Sequence, residues 1–129
     1  VIKPVTKHNN CAFVELFSAK PQTPEWFCSH WWGERIADFV RCVAKHVLVR
    51  RLSKNTNFWV CAYANRQHSL AAEVTADPKG TSFYKALKLA AGVVLILNEQ
   101  FRANDAAVPF TRIWCSFEIF VGLTDDERE

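Results

Sequence analysis

The chain has 129 residues, half of them apolar, with ten Phe and five Trp, and its charged residues make up 22%. That is enough apolar material for one packed domain, and with four Gly and five Pro it excludes a fibrous or disordered chain. A net charge of +3 says little about nucleic acid, since its excess is mild and unevenly spread along the chain.

Val1-Ile2-Lys3-Pro4 opens without an apolar leader and Met is absent throughout, so a piece excised or processed from a longer protein is expected. Residues 1–24 read as a lead-in, polar and extended up to Asn10, with Ala12–Phe17 as a short strand ended by Pro21 and Pro24. Residues 25–129 read as one α/β domain. Its first strand is Trp26–Ser29, leading into the turn His30-Trp31-Trp32-Gly33. From Glu34 the apolar period changes to that of a helix: Ile36, Phe39, Val40, Val43 and Val47 form one stripe, continuing to about Arg50. On its other faces, Arg41, Lys45, Arg50 and Arg51 read as a solvated basic surface. Phe58–Tyr63 reads as a buried strand, and Asp77-Pro78-Lys79-Gly80 as a turn closing a long polar connection. Thr81 or Ser82 caps the next helix, with Phe83, Ala86, Leu87 and Ala90 as its stripe and Gly92 as its stop.

The apolar run Leu89–Leu97 is far short of the ~20 residues of a membrane helix. Within it, Val93–Leu97 shows no alternation, the pattern of a strand covered on both faces. After a loop, Thr111 caps a third helix carrying Ile113, Trp114, Phe117, Phe120 and Val121, which ends in Asp125-Asp126-Glu127. Strand and helix thus alternate, predicting a mainly parallel sheet whose strand ends converge along one edge. The cysteines Cys11, Cys28, Cys42, Cys61 and Cys115 form no C-x-x-C pair and four lie among apolar neighbours, which predicts buried thiols in a reducing, cytoplasmic compartment.

Three segments meet at the carboxyl edge: Ser29–Glu34, Ala64–Gly80 and Asn98–Trp114. On the third helix Glu118 interrupts an apolar stretch and stands four residues after Trp114, on the same helical face. A carboxylate beside aromatic rings is partly desolvated, so its pKa rises, and it can stabilise positive charge developing on a sugar ring. The bland alternative is a solvent-facing Glu; for Trp114 it is a core Trp. Cys115 with His30 or His68 as base would suit a thiol nucleophile, but no hydrolase signature accompanies them. Cys28-x-His30 and Cys42/His46 lack further ligands at metal-site spacing, so no metal is expected. Gly-rich phosphate loops are absent, and basic residues do not interleave with aromatics as in nucleic-acid binders.

The order Phe27-Cys28-Ser29-His30-Trp31-Trp32-Gly33-Glu34, then Val93–Leu97, then Trp114-Cys115-Ser116-Phe117-Glu118 resembles that of Toll/interleukin receptor (TIR) domains over residues 25–123. The resemblance implies a flavodoxin-like three-layer sandwich, lacking the strands and helix that a whole domain of the family adds after this third helix. It also implies a role in immune or cell-death signalling, with NAD or a related nucleotide as substrate rather than cofactor. In the enzymatic members a Glu in the Trp-Cys-x-x-Glu element cleaves the nicotinamide–ribose bond, and that residue is Glu118. Ser29, His30, Trp32, Gly33 and Trp114 would then contact the nucleotide. Trp31-Trp32 replaces the basic residue that many members carry before the Gly, leaving Arg35 or the basic helix face to supply the charge. The same resemblance also admits a catalytically silent module that self-associates or binds other TIR-like domains. A truncated sheet with an exposed edge would favour such association.

Overall fold

The computed structural model describes residues 1–70, 77–97 and 108–124. In chain order it forms α1 (Ile2–Thr6), a 3₁₀ turn (Phe13–Leu16), β1 (Trp26–Ser29), α2 (Ile36–Arg50), β2 (Phe58–Trp59) and α3 (Cys61–Ala64). A 3₁₀ turn (Pro78–Gly80), α4 (Ser82–Leu89), β3 (Gly92–Leu95), a 3₁₀ turn (Val108–Thr111) and α5 (Ile113–Thr124) follow. The fold is mixed helix and strand around a three-stranded sheet in the order β2-β1-β3. Both pairings are parallel, with Trp26 beside Phe58 on one side and Gly92 on the other. The chain leaves β1 toward β2 and then crosses back to β3, so the connections diverge at the β1/β3 boundary and leave a crevice at the strands' carboxyl ends.

Strand alternation divides the core into two faces. Cys28, Val60, Val94 and Ile96 meet Phe39 of α2, with Cys42 and Val43 packed beside it. On the opposite face Phe27, completely buried, meets Ala86, Leu87 and Ala90, with Phe83, Val93 and Val121 around them. The Phe27 and Trp59 rings stack there with centroids 4.7 Å apart. Among the described residues no helix is long and apolar enough to cross a membrane.

Local hydrogen bonding accounts for several departures from the sequence pattern. The expected extended start is helical: the Thr6 hydroxyl donates to the Ile2 carbonyl at 3.0 Å, and Pro4 falls in the first turn, where a missing N–H costs nothing. Ala12–Phe17 is not a strand, because Glu15 folds back to accept the Ala12 N–H at 2.8 Å and closes the 3₁₀ turn. Similarly, β2 stops at Trp59 instead of reaching Tyr63. The buried Gln67 amide donates to the carbonyls of Cys61 and Ala62, serving the groups that the one-turn α3 leaves open.

Helix α2 is rotated from its expected stripe: Ile36 and Val40 are exposed, and Phe39, Cys42 and Val43 face the sheet. Thr81 caps α4 as expected, its hydroxyl oxygen accepting the Tyr84 N–H at 3.2 Å. Gly92 does not stop α4, which ends at Leu89; it opens β3 against the Trp26 ring. That strand ends at Leu95, with Leu97 exposed. Thr111 lies in the preceding 3₁₀ turn, and the Arg112 carbonyl accepts the first helical bond of α5 from the Ser116 N–H at 2.9 Å. The expected acidic helix end at Asp125–Glu127, most of the Asn98–Trp114 loop and part of the Ala64–Gly80 connection lie outside the described residues.

A Cβ at Gly92 would sit 2.5 Å from Trp26 Cζ3, so the central pairing requires glycine there. Gly92→Val is expected to destabilise the fold by about 1–3 kcal/mol, the usual range for overpacking, read as a lower urea midpoint at unchanged slope.

Candidate active site

Alternation along β1 puts Ser29 on the same face as Phe27, the face that α5 covers. There the Ser29 hydroxyl donates to Glu118 Oε2 at 2.5 Å, with both residues buried. The helix therefore presents Cys115 and Glu118 inward, while Ile113 and Phe120 of the expected stripe are exposed and Phe117 and Val121 are half-buried. Small residues permit this rotation. At Gly122 a Cβ would lie 3.1 Å from Val93, so the helix backbone runs close over β3.

The turn after β1 forms a second polar cluster. His30 Nδ1 lies 2.8 Å from Glu34 Oε1, with side chains 10% and 4% exposed, so the ring donates its Nδ1 proton to the carboxylate. Its Nε2 lies 3.6 Å from Cys61 Sγ, and Trp32 Nε1–H donates to the same sulfur at 2.9 Å. The Cys115 thiol is turned elsewhere, toward the His30 carbonyl at 3.8 Å.

These environments set the protonation states. Burial pushes the Glu118 carboxyl up to about 7, even though the Ser29 bond and the charge on His30 pull the other way. For His30, burial favours the neutral ring but is outweighed by hydrogen bonds to Cys61 and Glu34, which raise its pKa to about 9. Burial first, then the nearby Cys61 and Glu34, push Cys28 up to about 12, keeping it a neutral thiol. Cys115 is also raised, by burial first and then by Glu118, which removes the basis for reading it as an activated nucleophile. His68 lies elsewhere, with Nε2 2.9 Å from the Lys3 carbonyl oxygen.

Between these clusters lies a cavity of about 250 Å³. Trp32, Phe83 and Trp114 supply its aromatic walls, the last two rings lying 6.3 Å apart at 27°. His30, Cys61 and Glu118 supply polar groups, and the exposed Arg112 a cation. Of the residues expected from sequence, His30, Trp32, Trp114 and Glu118 line it, and Ser29 acts through Glu118. Gly33 is not among the lining residues; a Cβ there would run into the Trp31 ring, so this glycine makes room for that ring. Arg35 is also outside the lining, 3.9 Å from Asp38 on α2. Sequence reasoning missed Cys61, Phe83 and Arg112 as lining residues. A larger hollow of about 710 Å³, between residues 13–24 and β2, has only Glu15 and Lys20 as charged lining groups. Among the described residues no three His, Cys, Asp or Glu side chains are grouped to hold a metal ion.

No family model, no curated protein and no solved structure matches the chain.

Burying Glu118 has a pH signature. Below its ordinary 4.5 the carboxyl is protonated in both folded and unfolded chains. Between 4.5 and about 7 the unfolded chain ionises first, so stability falls as pH rises, by about 3 kcal/mol in all. Glu118→Gln is expected to remove that component, so that urea titrations at pH 4.5 and 8 show wild type losing about 3 kcal/mol relative to the variant.

Proposed function

We propose that the chain is a TIR-like domain of flavodoxin-like three-layer architecture that cleaves the nicotinamide–ribose bond of NAD with Glu118. The observation that carries this reading is a buried carboxyl, bonded to Ser29, in an aromatic cavity at the carboxyl edge of the sheet. The strand order β2-β1-β3 supports it, being the start of the 2-1-3-4-5 order of flavodoxin-like sheets, whose ligands bind at the β1/β3 crevice. A cavity of about 250 Å³ is just under the usual ~300–1,000 Å³ of small-molecule sites, and suits the nicotinamide and its ribose. Phe83 and Trp114 offer ring faces, and Arg112 offers a cation to the pyrophosphate outside.

In this reading the C–N bond breaks with its electron pair leaving on nicotinamide, and the ionised Glu118 faces the cation developing at the ribose C1′ carbon. Water then adds to that carbon and releases a proton, or a second nucleophile of the nucleotide closes a ring. Ser29 holds the carboxylate in place, which lowers reorganisation during the step. Because the ionised form is required, the rate is expected to rise with pH through about 7.

The decisive assay is nicotinamide release from NAD. Glu118→Gln keeps the shape and removes the charge; a loss of ~3–4 kcal/mol of transition-state stabilisation predicts a fall on the order of 10² to 10³. Folded wild type and variant that are equally inert toward NAD would sink the reading.

A second reading, the self-associating module, is favoured by the outer face of α5. Ile113, Phe120 and Leu123 are 82%, 63% and 82% exposed there, an apolar stripe suited to a second copy of the chain. Sedimentation should then show a concentration-dependent dimer that Phe120→Asp dissociates. A monomer at every concentration removes this reading.

A further inference from the structure

From the convergence of Trp32 and the Glu34-held His30 on one sulfur that opens into the cavity, we propose that Cys61 is a nucleophilic thiol that small hydroperoxides oxidise to the sulfenic acid.

Geometry carries the assignment. Trp32 Nε1–H donates to Cys61 Sγ at 2.9 Å and His30 Nε2 stands 3.6 Å away, so two N–H groups can hold negative charge on the sulfur. Glu34, 2.8 Å from Nδ1, fixes the ring so that Nε2 faces the sulfur, and steadies its positive charge. The elevated proton affinity of His30 fits the same arrangement. Of the other cysteines, Cys28 lines the cavity but is a buried neutral thiol, Cys115 faces a backbone carbonyl and Glu118, and Cys11 and Cys42 lie outside the cavity.

Access and proton supply select the reagent. Cys61 is only 4% exposed and is reached through a cavity of about 250 Å³, which favours a small electrophile. Acyl transfer would need separate N–H donors for an oxyanion, whereas Trp32 and His30 both address the sulfur. A hydroperoxide needs only a proton for its leaving oxygen. The Cys61 thiolate attacks one peroxide oxygen, forming the S–O bond as the O–O bond breaks. Sulfur is oxidised by two electrons and the peroxide is reduced. The departing hydroxide or alkoxide takes the proton from His30 Nε2, giving water or an alcohol and leaving Cys61 as S–OH. Cys115 lines the same cavity, and its thiol can condense with the sulfenic acid to a disulfide, releasing water.

This inference is independent of NAD cleavage, and its test uses no nucleotide. The folded chain is treated with limiting hydrogen peroxide in the presence of dimedone, which traps sulfenic acids, and mapped by non-reducing peptide mass spectrometry. The expected product is dimedone-labelled Cys61 or a Cys61–Cys115 disulfide, formed ahead of modification at Cys11, Cys28 or Cys42. Trp32→Phe removes one donor from a partly exposed ring and is expected to slow Cys61 oxidation about tenfold, the scale of one hydrogen bond to a charged group. His30→Gln, checked for folding by circular dichroism, should slow it at least as much. Modification that follows solvent exposure, with Cys11 first and Cys61 untouched in the folded chain, overturns the proposal. So does a Cys61 oxidation rate indifferent to Trp32→Phe; wild-type mapping alone decides the matter if His30→Gln does not fold.

Discussion

The hydrogen bond between Ser29 and Glu118 joins the end of the central strand to the last described helix, and the placement of the α5 side chains around the cavity follows from it. A buried carboxyl without a donor would cost several kcal/mol, so Glu118 can face inward only where a hydroxyl waits for it. Ser29 supplies that hydroxyl on the face of β1 that α5 covers. Once the helix is rotated to make the bond, Cys115 turns in, Trp114 meets Phe83, and Arg112 comes to the cavity. The outward face of α5 is then left rich in apolar side chains.

Two buried charge systems lie against each other there. Glu118 is held near its ionisation point by burial, while His30 is kept protonated by Glu34 and Cys61. The His30 charge lowers the cost of ionising Glu118, so the cluster after β1 also tunes the carboxyl on α5. An electrostatic link of this kind needs no conformational change, only two buried groups close enough to feel each other's charge.

Much of the parallel sheet was legible from sequence because its signals are short and local. Trp26–Ser29 is a compact apolar run, the apolar run from Val93 marks a strand although only Val94 and Ile96 in it are buried, and Thr81 carries its capping oxygen at the position a helix start requires. Glu118 stood out as the lone charge in an apolar helix. What sequence did not reveal was decided by partners far along the chain. The stripe on α5 suggested Ile113 and Phe120 as core, because hydrophobic periodicity cannot register a serine 89 residues away. Cys61 read as a strand residue because the amide that closes α3 belongs to Gln67.

The placement of β1 between β2 and β3 also dictates how the chain reaches its folded state. The central strand is made first in sequence, yet neither neighbour is near it along the chain, since Trp26 pairs with Phe58 and Gly92. Loop-closure entropy is therefore spent before the sheet returns any stabilisation, the condition that makes parallel topologies slow to assemble. During that interval Trp26–Ser29 is an apolar strand with both edges bare. Assembly is thus a race between two long-range crossovers and pairing with another chain, and dilution or early shielding of the N-terminal third favours the productive outcome.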